Sequence, residues 1–130
     1  GIPRLKEKDL YEYLQRCCYT DLVMAKNPVS KWDCYSPNAR HRIELKCRAK
    51  HYDTLIIEKI KYDALLKKAL DNDDQPIYIN STPQGVYRFN LFLVTPVWQV
   101  KYLKKTTTFT NTNKVAKQIA MLPVIDAEIL

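Results

Sequence analysis

Hydrophobic and polar residues alternate with a period of two in the middle of this chain. In the clearest segment, residues 40–48, the set His41, Ile43, Leu45 and Cys47 alternates with Arg42, Glu44, Lys46 and Arg48. Because successive side chains of a β-strand point to opposite faces, this segment predicts a strand with one apolar and one charged face. Residues 31–36 also alternate, and the turn signal Ser36-Pro37-Asn38 joins the two segments. We therefore predict a β-hairpin.

The spacing of hydrophobic residues on either side of this hairpin predicts two helices and a further strand. A first helix is expected from Glu7 to about Lys26, where leucines recur at helical spacing. The β-branched residues of 54–60 favour a third strand, and the leucines and alanine of 61–70 favour a second helix.

The remainder of the chain is predicted to contain more strands, a polar loop and a short helix. Strands are expected at residues 77–79, 86–94 and 98–103, a loop at Thr106–Asn113, and a helix at 114–122 that ends before Pro123. The order of the leading elements is α-β-β-β-α-β. This order predicts an α/β fold in which a central mixed β-sheet is flanked by helices.

Length and composition indicate one domain inside a cell. The 130 residues suffice for a single domain, with a core at about residues 9–94 and a basic part at 95–130. No apolar run approaches the roughly 18–20 residues that cross a bilayer, so no membrane contact is expected. The four cysteines lack metal-binding spacing, which favours reduced thiols and a cytoplasmic location.

Basic residues are distributed unevenly along the chain, which has a net charge of +7. No acidic residue occurs in 75–125, whereas six basic ones do: Arg88, Lys101, Lys104, Lys105, Lys114 and Lys117. Such an asymmetry raises the potential over one part of the surface and favours a polyanion such as nucleic acid. The alternative is the solvated basic surface that many small proteins have.

The charged face of the predicted hairpin carries the candidate chemistry. Glu44 and Lys46 emerge on the same side of their strand, roughly 6.5–7 Å apart, and Asp33 on the partner strand can face the same side. Two carboxylates of this kind can hold Mg²⁺, which activates water and neutralises charge on a phosphate, while a lysine orients the water or stabilises the transition state. In the alternative reading, these residues form a solvated charge ladder and Asp33 begins a turn.

These residues resemble the motif of the PD-(D/E)XK nuclease superfamily, which has a restriction-endonuclease-like fold. The resemblance rests on Asp33, then Glu44-Leu45-Lys46 on a strand, followed by another strand and a helix, and it covers about Asp9 to Leu70. The segments Trp32–Ser36 and Arg42–Arg48 look most like small phage-encoded members. Trp32 stands where the name of the motif has proline.

The resemblance implies a Mg²⁺- or Mn²⁺-dependent nuclease that hydrolyses DNA. Asp33 and Glu44 would bind the metal, helped by the Leu45 carbonyl, and Lys46 would be catalytic. The family often places another acid on the first helix, for which Glu12 is the candidate and Asp21 the substitute.

The resemblance also has implications for the partners and the setting of the protein. The basic residues expected to contact DNA are Arg42, Arg48, Lys59 and Lys61. A role in phage DNA replication, recombination or repair in the host cytoplasm is implied, and a homodimer is compatible with it. The alternatives are a non-catalytic nucleic-acid-binding protein that retains the fold and a protein whose basic face binds an acidic partner.

Overall fold

The computed structural model describes residues 5–26, 32–105 and 113–130. In these ranges the chain forms helices α1 (Glu7–Cys17) and α2 (Lys59–Asp71) and two β-sheets. The strands are β1 (Val23–Met24), β2 (Cys34–Ser36), β3 (His41–Cys47), β4 (Thr54–Glu58), β5 (Gln75–Thr82), β6 (Gly85–Asn90), β7 (Gln99–Lys104), β8 (Lys114–Pro123) and β9 (Glu128–Ile129). A 3₁₀ turn at Val124–Asp126 precedes β9.

The larger sheet has the strand order β1-β2-β3-β5-β6-β9. Its strands β3 and β5 run parallel, whereas the other neighbours are antiparallel. The sheet is therefore mixed, and the prediction of an α/β fold with a mixed β-sheet is confirmed. The predicted hairpin is also present as β2 and β3, with Cys34 opposite Ile43.

Helix α1 packs on the apolar face of β3 and ends earlier than its sequence pattern predicts. Leu10 and Leu14 are fully buried in one core cluster with Ile43 and Leu45. The helix stops at Cys17 instead of about Lys26, because the chain then turns to supply β1, which pairs with β2 at the edge of the sheet. The pairing of β1 with β2 outweighs the helical propensity of residues 18–26.

A smaller sheet, in the order β4-β8-β7, covers the opposite face of the larger one. Leu55 of β4 and Leu122 of β8 form a second core cluster with Tyr78 and Phe89 of the larger sheet and with Leu65 of α2. The third strand predicted at residues 54–60 is present as β4, which ends at Glu58 and does not join the larger sheet. The edge of β3 beyond the hairpin is occupied by β5, so β4 pairs with β8 instead.

The prediction of a short helix at residues 114–122 is also wrong, because this segment is strand β8. It pairs with β4 on one side and with β7 on the other. Ala120 and Leu122 alternate into the core while Met121 between them is exposed. Pairing along both edges therefore outweighs the helix propensity of the alanine, lysine and glutamine residues.

The remaining predictions differ from the structure mainly in strand length. The strand at 77–79 extends to the whole of β5, the strand at 86–94 ends at Asn90, and the strand at 98–103 corresponds to β7. Residue 31 of the predicted hairpin and residues 106–112 of the predicted loop lie outside the described residues.

The cysteines only partly follow the prediction of four reduced thiols. Cys34 and Cys47 are free and buried, and burial raises the pKa of the Cys34 thiol to about 12. The adjacent residues Cys17 and Cys18 are joined by a disulfide, so the prediction is wrong for this pair. Among the helices of the described ranges, none combines the length and the apolar character needed to cross a membrane.

Candidate active site

The hairpin of β2 and β3 brings Asp33 and Glu44 together. Asp33 directly precedes β2, and its carbonyl oxygen accepts a hydrogen bond of 3.1 Å from the Ala25 N–H. The register that sets Cys34 opposite Ile43 continues to set Asp33 opposite Glu44. Both residues are buried, with exposed fractions of 5% and 8%. A side-chain hydrogen bond joins their carboxyl groups.

The surroundings of Glu44 favour its protonated form in the absence of a bound cation. Burial raises its pKa from 4.5 to about 7, and the negative charge of Asp33 contributes to this rise. Lys61 of α2 opposes the shift, since its Nζ lies 3.6 Å from Oε1 of Glu44. The two carboxyl groups thus form a site in which added positive charge is stabilising.

Lys46 lies two residues farther along β3, on the same side as Glu44. Its side chain is half-buried, and burial lowers its pKa, as does the positive charge of Arg48. The acidic side chains of Glu58, Glu7 and Glu44 act in the opposite direction. Lys46 therefore gives up its proton more readily than a surface lysine and is suited to accept one from water.

An open cleft with a volume of about 710 Å³ lies over Glu44 and Lys46. Its acidic lining residues are Glu7, Glu44 and Glu58. Its basic lining residues are Lys46, Arg48, Lys61, Lys104, Lys105 and Lys117. Positive charge therefore exceeds negative charge in the cleft, and three of the basic residues come from the acid-free segment at 75–125. Folding concentrates the asymmetry of the sequence at this one place.

The acid that α1 contributes to the cleft is Glu7, not Glu12. Helical geometry explains the difference, because Glu7 and Tyr11 are one turn apart and Tyr11 lies beside Trp32, with ring centroids 6.3 Å apart. Trp32 and Glu7 both line the cleft. Glu12 is not among the described residues that do so. The prediction of Glu12 as an additional metal ligand is therefore not supported.

Asp21, the substitute for Glu12, stabilises the hairpin turn by hydrogen bonds. Its carboxylate accepts a hydrogen bond of 2.7 Å from the Asn38 N–H and one of 2.8 Å from the Ser36 hydroxyl. These hydrogen bonds lower the pKa of Asp21, the one from Asn38 most strongly. Asp21 thus fixes the turn that sets the β2–β3 register.

The four basic residues predicted to contact DNA have different positions. Lys61 lines the cleft and pairs with Glu44. Arg48 also lines it, but its guanidinium donates hydrogen bonds to Asn80, to the Tyr78 hydroxyl and to the Ile56 carbonyl.

Two of these basic residues do not line the cleft. Arg42 donates a 2.7 Å hydrogen bond to Asp74 and lies over the ring of Tyr35. Lys59 pairs with Asp63 at 2.6 Å. Arg42 therefore has a role within the fold and Lys59 a surface ion pair, and their prediction as DNA contacts stays a prediction.

Asp33 and Glu44 fit one kind of metal ion. Mg²⁺ and Mn²⁺ bind through one or two carboxylates and fill their other positions with carbonyl, water and substrate oxygens. The Leu45 carbonyl lies between the Glu44 and Lys46 positions on the same strand. No group of three or more histidine, cysteine, aspartate or glutamate residues able to hold a metal occurs in the described parts of the chain. Two carboxyl groups of this kind could hold a partly hydrated Mg²⁺ or Mn²⁺.

Sequence reasoning did not identify Tyr78 and Glu58 as parts of this site. Tyr78 is the parallel-strand neighbour of Glu44, and its hydroxyl donates a 2.9 Å hydrogen bond to the Ile56 carbonyl. Glu58 ends β4 and pairs with Lys117 at 3.1 Å. No local pattern in the sequence links these residues to the hairpin; the one signal is the position of Glu58, an acid directly before a helix.

The residues that carry the resemblance to PD-(D/E)XK nucleases lie together in the structure. Asp33 and Glu44 are in contact, Lys46 follows on the same strand, and Trp32 lines the same cleft. Comparison of the chain with known protein families, with curated proteins and with solved structures finds no match.

Proposed function

We propose that this protein is a metal-dependent nuclease that hydrolyses phosphodiester bonds of DNA in the cleft above Glu44 and Lys46. The observation that carries the proposal is the Glu44 carboxyl group, which lines a predominantly basic cleft and is hydrogen-bonded to the buried carboxyl group of Asp33 behind it. Burial of two such groups side by side is unfavourable unless they share a proton or a cation joins them. A bound cation would relieve this cost at neutral pH, and the basic cleft beside Glu44 supports a phosphate as its partner.

Asp33 and Glu44 would hold Mg²⁺ or Mn²⁺, helped by the Leu45 carbonyl. Such an ion, when bound, lowers the pKa of water and neutralises negative charge on the phosphate.

The chain itself supplies the proton transfer and the phosphate binding. Lys46, with its lowered pKa, accepts the proton of the attacking water or orients that water by hydrogen bonding. Lys61 would leave Glu44 as the cation binds and would then contact a phosphate oxygen as a point charge. The cleft lysines from β7 and β8 would bind the adjoining phosphates.

The fold family, the biological setting and the oligomeric state of the protein are part of the same proposal. A restriction-endonuclease-like core is part of the proposal, although the structure has four strands between α1 and α2 where three were predicted, and β4 lies in the smaller sheet. A phage protein that acts on DNA during replication, recombination or repair in the host cytoplasm is consistent with the resemblance. A homodimer would let so small a domain cover more of its substrate.

A specific contact favours the alternative of a non-catalytic nucleic-acid-binding protein. The Lys61 ammonium already lies 3.6 Å from Glu44 and supplies part of the positive charge that a metal would bring. If this ion pair persists, the cleft binds DNA and does not cleave it.

A cleavage assay with matched variants tests the proposal. Plasmid, branched and single-stranded DNA are incubated with the protein in Mg²⁺, in Mn²⁺ and in EDTA. We expect cleavage that requires the metal and that falls at least about 100-fold in Glu44→Ala and Lys46→Ala. The control Glu12→Ala, an α1 acid outside the cleft lining, should cleave like the wild type.

Three outcomes contradict the proposal. If Glu44→Ala cleaves DNA as fast as the wild type does, the active site is not at Glu44. Salt-sensitive binding without cleavage of any substrate supports the non-catalytic alternative. No binding to DNA even at low salt supports a protein that binds an acidic partner.

A further inference from the structure

Strands β7 and β8 form a two-stranded ribbon in which lysines lie directly opposite one another. Lys101 pairs with Lys117, and Lys104 pairs with Lys114. Like charges at directly opposite positions repel and destabilise a β-ladder. Neither strand contains an acidic residue. The β7–β8 ribbon thus sustains a repulsion that a bound polyanion would relieve.

Acidic neighbours compensate little of this charge. Lys117 pairs with Glu58 at 3.1 Å. Within the described part of the chain, no acidic side chain forms a salt bridge with Lys101, Lys104 or Lys114. The positive charge of the β7–β8 ribbon is therefore available to a ligand.

The two faces of the β7–β8 ribbon differ in composition. Alternate residues share a face, so Leu103 and Lys117 belong to the face that lines the cleft. The other, outer face carries Tyr102 opposite Ala116, followed by Lys104 opposite Lys114. An aromatic ring and two ammonium groups therefore lie next to one another on the outer face.

Tyr102 is placed to offer its ring to a ligand. Its exposed fraction is 72%, although large aromatic residues usually bury most of their surface. Its cross-strand partner, Ala116, has only a methyl group and leaves space beside the ring. A planar nucleobase can stack on such a ring, whatever the sequence of the strand.

We infer that the outer face of the β7–β8 ribbon binds an unpaired segment of nucleic acid, with one base stacked on Tyr102 and phosphates bound by Lys104 and Lys114. Basic grooves with exposed aromatic rings bind single strands in this way, because paired bases do not present their faces. Lys104 is the last residue of β7 and also lines the cleft, so the outer face meets the cleft at this end of the ribbon, and a strand leaving the cleft would continue onto the ribbon there. The substrate would then contain a single-stranded segment next to the cleaved bond. This last step rests on the proposed nuclease function, whereas the binding itself does not.

Binding without turnover tests the inference directly. Fluorescence anisotropy is measured in EDTA with a labelled oligonucleotide of about 20 nucleotides and with a blunt duplex of the same length. We expect Tyr102→Ala to weaken single-strand binding about tenfold, because the variant loses the ring on which one base stacks. Tyr102→Phe, which retains the ring, should bind within about twofold of the wild type, and duplex binding should be unchanged in both variants.

The lysines are tested with a double variant and a charge-matched control. Lys104→Ala/Lys114→Ala should weaken single-strand binding and reduce the slope of log K against log salt by about 1.4, or about 0.7 per phosphate contact. Lys67→Ala/Lys68→Ala on α2 removes the same charge outside the ribbon and should change binding little. The first pair should not lower the melting temperature, because its removal relieves repulsion.

The outcomes separate this inference from the proposed function. Unchanged single-strand binding in Tyr102→Ala and in the ribbon lysine variant overturns the inference. An equal loss of duplex and single-strand binding in Tyr102→Ala overturns the assignment to an unpaired base. If the ribbon variants lose binding but no DNA is cleaved by the wild type, the inference stands and only the nuclease proposal fails.

Discussion

Glu44 is both buried and ionisable, and burial disfavours its charged form when no cation is bound. Its neighbours in the fold are the carboxyl group of Asp33 and the ammonium group of Lys61. Burial and Asp33 together raise its pKa to about 7, so the single lysine does not compensate fully. Residues selected for binding or catalysis often reduce stability in this way.

The metal-free protein should lose stability as the pH rises, and Glu44→Gln should remove this loss. Between pH 4.5 and about 7 the folded state binds the proton of Glu44 more tightly than the unfolded state does. The free energy of unfolding therefore falls as pH rises through this window, by up to about 3 kcal/mol. Urea unfolding at pH 5 and pH 8 in EDTA measures this, and Glu44→Gln should be more stable than the wild type at pH 8. A less stable Glu44→Gln at pH 8 would mean that the ion pair with Lys61 dominates.

Two lysines of the same helix should differ sharply in their effect on cleavage. Lys61→Ala removes the cation that lies 3.6 Å from Glu44 and should reduce kcat/KM for DNA by about 10- to 100-fold. Lys59→Ala should stay within about twofold, because Lys59 pairs with Asp63 and is not a lining residue of the cleft. Equal losses in the two variants would show that only the overall charge of α2 matters.

Among the secondary-structure elements, β3 has the most demanding position. It pairs with β2 and β5, contributes to the core with one face and supplies Glu44 and Lys46 from the other. Arg42, the second residue of β3, donates a hydrogen bond to Asp74, the last residue before β5. The precise position of the candidate site depends on these anchors.

Arg42→Ala should therefore destabilise the fold without changing cleavage by the folded protein. The Asp74 side chain is only 1% exposed, and the loss of Arg42 leaves its carboxylate with weaker partners. Removing one member of such a pair costs on the order of 3 kcal/mol. The matched control is Arg40→Ala, whose side chain is 54% exposed and lies 3.5 Å from the same carboxylate. Urea unfolding and cleavage at low temperature check both variants, and a loss of cleavage in fully folded Arg42→Ala would restore Arg42 as a DNA contact.

At the scale of the whole molecule, folding brings basic residues from distant parts of the chain together in the cleft. The lysines of β7 and β8 lie far along the chain from Glu44, yet three of the cleft's basic residues come from this segment. The smaller sheet therefore lines one side of the cleft with basic residues. Such an arrangement predicts electrostatic attraction of DNA to the cleft.

Binding of DNA should depend steeply on salt, with a contribution from each cleft lysine. About five phosphate contacts correspond to a slope of about −4 in log K against log salt. Lys105→Ala should reduce this slope by about 1, whereas Lys67→Ala, paired with Asp71 on α2, should leave it unchanged. Titrations between low and moderate salt give the slopes, and a salt-independent affinity would exclude a phosphate-binding cleft.

The sequence by itself determined the features that depend on neighbours along the chain. The period-two alternation of β3 places Glu44 and Lys46 on one side, since the pleat of a strand has that period. The turn signal after Ser36 predicts the hairpin, and the β2–β3 register sets Asp33 opposite Glu44. Local patterns, together with the family resemblance, therefore placed Asp33, Glu44 and Lys46 on one side of the hairpin.

The tertiary structure decided everything that depends on distant segments. The parallel pairing of β3 with β5 sets Tyr78 beside Glu44, and it leaves β4 to pair with β8, which consequently becomes a strand. Tertiary packing also placed Glu7, and not Glu12, at the cleft, and it paired Arg42 with Asp74. Periodicity states which side of an element a residue occupies, but not which other element covers that side. That choice follows from competition among all the segments for the same edges and faces.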